Sequence, residues 1–151
     1  RYLAPVKGSG QLNVLLNAVY DLDTTRRTAD YQAAASQLLV RQKRRALVIV
    51  VTNLRDEDDE ALLTAVKRIS RQHKVLVASL REEVLDHLRQ SPVQTLPEAL
   101  AYSGTVDYLN TRDELHDRLR AHGLSVLDTT PSALGTALVT RYQGWKKAGV
   151  L

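Results

Sequence analysis

The chain has 151 residues, 44% of them hydrophobic and 25% charged, which is typical of one folded domain and excludes a disordered chain. It contains no cysteine, which excludes disulfide scaffolds, cysteine nucleophiles and zinc sites built from thiolates. The net charge of +4 permits weak attraction to nucleic acid or anionic lipid but does not require it.

Two helices are predicted before the first strand. In "QLNVLLNAVY" the apolar side chains recur at helical spacing and form one face: Leu12, Leu15, Leu16, Val19 and Tyr20. The next helix is rich in alanine and leucine, and either Thr28 or Asp30 is its N-cap. The basic run Arg41 to Arg45 follows this helix. We interpret the run as cations that complement the negative carboxyl end of the helix dipole.

Three strands are predicted, near residues 45–52, 74–80 and 124–128. The first two, "RALVIVVT" and "KVLVASL", are apolar on both faces, as in strands covered by helices on both sides. Helical patterns separate the strands, so the element order is α-α-β-α-β-α-α-β-α. This order predicts a three-layer, Rossmann-like α/β fold with about three parallel strands, formed by residues 1–151 as a single domain.

The later helices carry clear boundary signals. The long pattern before the third strand has Pro97 near its start and Gly123 just beyond its end, and Ser103-Gly104 either kinks it or splits it in two. The last helix, Ser132 to Ala148, is predicted to bury one apolar face. That face consists of Leu134, Ala137, Leu138, Tyr142 and Trp145.

No motif points to catalysis. The four histidines show no ligand pairing at i, i+4, none is predicted beside a strand end with a carboxylate partner, and His73 and His122 follow helix carboxyl ends. The acids from Asp56 to Glu60 are predicted to decorate a helix start, with a cation site as the alternative. Phosphate-binding glycine loops and the serine-hydrolase elbow are absent from the sequence, so we expect no enzyme activity and no cofactor.

Three segments carry a resemblance to a known family: the arginine-led strand that ends at Thr52, "RQHKVLVASLR", and "ALVTRYQGWKKAGVL". With the order of the segments between them, they resemble the carboxyl-terminal half of the bacterial family catalogued as domain of unknown function fifty-eight. That family is similar to von Willebrand factor type A domains. The resemblance covers essentially the whole chain, and it implies a domain whose first strands precede Arg1.

The resemblance also bears on a metal site. Type A domains bind a metal ion through a DxSxS loop, a threonine from a second loop and an aspartate after the fourth strand. The DxSxS loop is missing here, Thr28 or Asp30 stands at the second position, and Asn53 follows Thr52 where an aspartate is expected. Because hard divalent cations prefer anionic oxygens, we expect these to be relic positions that bind no metal in this chain. Alternatively, Thr52 and Asn53 merely end the strand.

The resemblance implies a function without a reaction. Members of this family carry membrane-spanning helices before the domain and are encoded near MoxR-type AAA+ ATPases. We therefore expect a non-catalytic protein-interaction module in a membrane-anchored protein, with the domain itself soluble and cytoplasmic, that works with such an ATPase in assembly or chaperoning. The alternative is a nucleic-acid-binding or hydrolytic α/β domain that uses the basic charge, although no basic stripe beside aromatic residues is present.

A last expectation concerns the edge of the sheet. In a type A domain the strand Arg45 to Thr52 pairs on one side with the first strand, which the resemblance places before Arg1. Val48 to Val51 are then expected to form an apolar edge with unpaired backbone groups. Such an edge is a template for another chain, so we expect a homodimer.

Overall fold

A computed structural model describes residues 2–3, 11–23, 28–54 and 59–151. In these ranges the helices and strands follow the predicted order. The helices are α1 (Gln11–Val19), α2 (Tyr31–Arg41), α3 (Asp59–Ser70), α4 (Glu83–Gln90), α5 (Leu96–Ala121) and α6 (Leu134–Lys147). The strands are β1 (Leu47–Thr52), β2 (Lys74–Leu80) and β3 (Ser125–Thr129).

The three strands form one parallel sheet in the order β1-β2-β3. Ile49 of β1 is in register with Leu76 of β2, which is in register with Ser125 of β3. Parallel neighbours need helical crossovers, and the predicted alternation of strands and helices supplies them. The structure therefore confirms the expected α/β class, with a parallel sheet flanked by helices in a three-layer, Rossmann-like arrangement.

One face of the sheet forms the main core. The side chains of Val75 and Val77 in β2 and of Val126 in β3 are buried on this face, and Val48 and Val50 of β1 pack against the same cluster. Helices α2, α3 and α5 cover this face through buried apolar residues that recur at helical spacing, as amphipathic helices do. These residues are Ala35, Leu62, Leu63, Ala65, Val66, Ile69, Leu115 and Leu119.

The opposite face is covered over β2 and β3 by α6. Leu76 and Ala78 are buried here, and Trp145 of α6 is half-buried with the Lys74 ammonium 5.1 Å from its ring centroid. The predicted apolar face of α6 is covered only in part, because Leu134, Ala137, Leu138 and Trp145 are half-buried and Tyr142 is exposed. In the residues that the structure describes, the sheet has three strands.

Helix α5 is long and has a defined end at each terminus. Thr95 and Glu98 form a capping box, in which hydrogen bonds from the backbone N–H groups of Gln94 and Thr95 lower the pKa of Glu98. The helix runs unbroken through Ser103-Gly104, so the expected kink or split is absent. It closes at Gly123, whose φ of 75° is the left-handed conformation that favours glycine.

Candidate functional site

Two of the positions that we expected to be relics of a metal site, Asp30 and Thr52, lie near the carboxyl end of β1, where ligands bind in many open α/β sheets. The Tyr31 hydroxyl and Thr52 Oγ1 are 3.0 Å apart and form a hydrogen bond, which joins the start of α2 to the end of β1. Asp30 caps α2 by accepting a hydrogen bond of 2.8 Å from the Ala33 N–H. The structure therefore brings Asp30 and Thr52 to the same end of the sheet.

The hydrogen bonds of these positions serve the fold. Asp30 is the predicted N-cap of α2, and Thr52 is tied to α2 through Tyr31. Thr28 and Asn53 are exposed. In the part of the chain that the structure describes, no group of three or more acidic or histidine side chains is placed to hold a metal ion.

The acidic run after β1 is described only in part. Residues 55–58, which include Asp56, Glu57 and Asp58, lie outside the described residues, so the predicted decoration of the helix start is not tested there. Glu60, in the first turn of α3, forms an ion pair of 2.7 Å with Arg118 of α5. The basic run before β1 does act at a helix end, because the Lys43 ammonium donates a hydrogen bond to the carbonyl of Leu39 in the last turns of α2.

A polar cluster that was not predicted from the sequence lies at the carboxyl ends of β2 and β3. His116 of α5 is 1% exposed, and its Nε2 atom lies 2.9 Å from Oγ of Ser79 in β2, which is fully buried. We expected no histidine beside a strand end with a carboxylate partner; the structure places His116 beside the end of β2, where its hydrogen-bonding neighbour is Ser79 and the Asp113 carboxylate is 3.8 Å from Nδ1. We call the following residues the carboxyl-end cluster: Ser79, Arg81, Arg112, His116 and Asp128.

Asp128 of β3 links the charged members of this cluster. Arg112 Nη2 donates a hydrogen bond of 2.9 Å to one carboxylate oxygen, and Arg81 Nη1 lies 3.4 Å from the other. Arg81 is also 3.3 Å from Asp86 of α4. The Arg112 side chain is only 2% exposed. A buried charge requires a partner, and Asp128 supplies it.

Burial sets the charge of His116. Loss of hydration lowers the pKa of His116, and the nearby positive charge of Arg112 lowers it further, while Asp128 acts in the opposite direction. The imidazole is therefore neutral at physiological pH, and one ring nitrogen can serve as donor or acceptor to Ser79. Arg112 Nε and Nη1 and Arg81 Nε are buried without a hydrogen-bond partner in the structure.

The chemistry open to this cluster is limited by access. A serine hydroxyl beside a histidine, with the Asp113 carboxylate 3.8 Å from His116 Nδ1, superficially matches a nucleophile, a base and an orienting acid. However, 3.8 Å is too long for a hydrogen bond, and Asp113 is exposed. Ser79 has no exposed surface from which to attack a substrate. The cluster therefore joins α5 to β2 and β3 and does not form an open active site.

The other histidines do not form a reactive group. His73 is buried where β2 begins, its backbone N–H donates to Ile69 in the last turn of α3, and its two ring nitrogens have no partner in the structure. His122 is the C-cap residue of α5. His87 is exposed on α4.

The most extensive unusual surface is apolar. None of the residues of α1 is buried, and the predicted apolar face is exposed, from 42% at Val19 to 88% at Tyr20, which directly follows the helix. On β1, the outward residues Ile49 and Val51 are 40% and 49% exposed. We call the outer side of β1 the β1 edge. It adjoins a groove of about 650 Å³ between α2, the start of β1 and the segment Tyr2–Leu3.

A signal for the carboxyl-end cluster is present in the sequence. Arg112 and His116 are four residues apart on α5 and so share a helix face, and Ser79 and Asp128 come near the ends of two predicted strands. Their contact depends on how α5 packs on the sheet, which the spacing of residues in the sequence does not give.

In the described residues, no helix is both long and apolar enough to cross a membrane.

Comparison with known proteins adds no assignment. Neither the protein-family models nor the curated proteins nor the solved structures contain a match to this chain.

Proposed function

We propose that this chain is a non-catalytic protein-interaction module of a membrane-associated protein, with its domain in the cytoplasm, and that its partner is a MoxR-type AAA+ ATPase in assembly or chaperoning. The class of partner comes from the sequence resemblance. The structural observation that carries the interaction role is the exposed apolar face of α1. Contiguous apolar patches on a folded chain mark interaction surfaces more often than single exposed side chains do.

The character of α1 supports this role. The helix contains no charged residue, and its leucines and valines are all exposed. Burial of apolar surface is worth about 25 cal/mol per Å², so a partner that covers this face gains free energy from it. A helix of nine residues is also marginal in water on its own, and contact with a partner stabilises it.

The arrangement of the polar residues also favours an interaction role over a hydrolytic one. In the described residues, the serine and histidine that approach one another are enclosed, and no acidic or histidine group is assembled for a metal ion. The parallel order β1-β2-β3 supports the resemblance, because three consecutive strands of a type A domain are also parallel neighbours. The interaction role therefore explains more of this surface than the hydrolytic alternative does.

The direct test measures binding between the purified chain and the MoxR-type ATPases of its source organism by biolayer interferometry, with and without a non-hydrolysable ATP analogue. The double variant Leu12→Asp/Leu16→Asp removes two exposed leucines from the α1 face. We expect it to weaken binding at least about tenfold, which corresponds to about 1.4 kcal/mol.

The matched control is Asn13→Asp/Asn17→Asp. It adds the same two charges at the same spacing on another side of α1, and we expect it to leave the affinity unchanged. Absence of binding to every such ATPase contradicts the proposed partner. Binding of the chain to random duplex DNA at two salt concentrations tests the alternative, because phosphate-driven binding falls steeply as salt rises.

A further inference from the structure

We propose that the β1 edge joins two copies of this chain, with their β1 strands paired antiparallel about a two-fold axis perpendicular to the sheet. Among the described residues, β1 pairs with β2 on one side and with no strand on the other. An edge of this kind presents backbone N–H and C=O groups to a further strand. The proposal goes beyond the interaction role above and does not depend on it.

The two faces of β1 restrict the register. Val48 and Val50 point into the core, and Ile49 and Val51 point to the opposite, uncovered side. An axis perpendicular to the sheet keeps each face on its own side, so outward residues must lie opposite outward residues. Pairing of Ile49 with the partner's Val51 satisfies this condition twice and sets the exposed side chains of the two copies in contact with each other.

The surroundings of β1 favour the same register. The segment Tyr2–Leu3 lines a groove with Ala46, Leu47 and Val48, so it lies beside the first half of the strand. The Tyr2 ring is held there by the Arg41 guanidinium, 4.3 Å from its centroid. Among the described residues, no strand or segment of the chain pairs with the second half of the strand, from Ile49 to Thr52. A register centred on Val50 uses this open half in both copies.

Charge selects a second copy in antiparallel orientation. Arg44 and Arg45 are exposed just before β1. An antiparallel pair keeps these arginines of the two copies at opposite ends of the joined strands. A parallel pair would set like charges side by side.

The first test is the mass of the chain in solution across a concentration series, measured by multi-angle light scattering. We expect a monomer–dimer equilibrium that Val51→Lys weakens at least about tenfold, since a lysine on an edge strand opposes pairing. Val84→Lys is the matched control, because Val84 is 52% exposed on α4, away from β1. A monomer at every concentration contradicts the proposal, and so does equal weakening by both substitutions in folded proteins.

The second test reads the register and leaves the charge of the strand unchanged. The chain contains no cysteine, so introduced thiols are the sole thiols present. Residues directly opposite in an antiparallel pair have Cα atoms about 4.5 to 5.5 Å apart, within reach of a disulfide, whereas diagonal neighbours lie about 7 to 8 Å apart. We therefore expect a mixture of Ile49→Cys and Val51→Cys chains to form a disulfide-linked heterodimer under mild oxidation.

Each cysteine variant alone should give little disulfide dimer. Cross-linking of either variant with itself at the rate of the mixture contradicts the proposed register, and absence of cross-linking in the mixture contradicts the pairing. Both tests use the chain without any ATPase. A negative result here therefore leaves the interaction role intact, and loss of ATPase binding would leave this pairing intact.

Discussion

The carboxyl-end cluster and the β1 edge belong to the same three-stranded sheet but distribute side chains in opposite ways. At the cluster, a serine, a histidine and a charged pair are enclosed between α5 and the strands. At the β1 edge, Ile49 and Val51 are exposed although they are apolar. Polar groups are therefore inside and apolar groups outside, which reverses the usual preference.

The difference follows from what covers each region. Helix α5 lies across the ends of β2 and β3, so polar side chains there must find partners within the protein, and Asp128 and Ser79 provide them. Among the described residues, no strand pairs with the outer side of β1, and Ile49 and Val51 remain in contact with water. Stability is thus expected to concentrate around α5, and association around β1 and α1.

The largest expected effect tests where the stability resides. Leu119 of α5 is fully buried in the core, and Leu119→Ala should lower the free energy of unfolding by about 2 to 5 kcal/mol. Leu12→Ala on α1 removes the same atoms from an exposed site and should change it by less than about 0.5 kcal/mol. Urea denaturation measures both free energies of unfolding. Similar losses for the two variants would contradict the expectation that stability is concentrated around α5.

The buried ion pair comes next. Arg112→Ala leaves the Asp128 carboxylate with Arg81 as its remaining partner and should lower the free energy of unfolding by about 3 kcal/mol. Arg120→Ala is the matched control, since Arg120 pairs with Asp117 on the exposed side of the same helix and should cost less than about 1 kcal/mol. Equal losses of unfolding free energy would show that the Arg112–Asp128 pair stabilises the fold no more than the exposed Arg120–Asp117 pair does.

The pH dependence of stability sharpens the same contrast. Because burial lowers the pKa of His116, the unfolded chain binds its proton more readily than the folded chain does. The stability that this group contributes is therefore complete above the unfolded pKa of about 6.5 and is lost as the pH falls below it. The test compares urea midpoints between pH 7.5 and pH 5.

In that series, His116→Gln should show a smaller loss of stability on acidification than the original chain. His87 is exposed, so His87→Gln should retain the full loss. An identical pH profile for the original chain and His116→Gln would contradict a buried, neutral imidazole at this position.

The smallest of these effects concerns the amino end of α5, the helix that holds the cluster. Thr95→Ala removes the capping hydroxyl that accepts the Glu98 N–H and should cost about 1 kcal/mol. Thr136→Ala, on the exposed part of α6, should change stability by less than about 0.5 kcal/mol. Similar losses of stability for the two variants would indicate a general effect of removing threonine and would contradict a capping role for Thr95.

Parts of the candidate sites could be predicted from local sequence and parts could not. Asp30 was one of two predicted N-caps, and its role is confirmed because a cap involves residues only three positions apart. The apolar face of α1 was predicted, but its exposure to water was not. Helical periodicity shows that a helix has an apolar face and does not show which part of the protein covers that face. The contact between His116 and Ser79 joins residues 37 positions apart and has no local signature.

By itself, the sequence determined the order of helices and strands, the parallel α/β class and the apolar character of β1, because periodicity and capping act between residues close along the chain. Only the tertiary structure decided that α5 runs unbroken and that Arg112 meets Asp128 across 16 positions. These outcomes depend on which surfaces are covered, and coverage arises when distant segments pack and exclude water. Apolar side chains of the same kinds are therefore buried in β2, as at Val77, and exposed in β1, as at Val51.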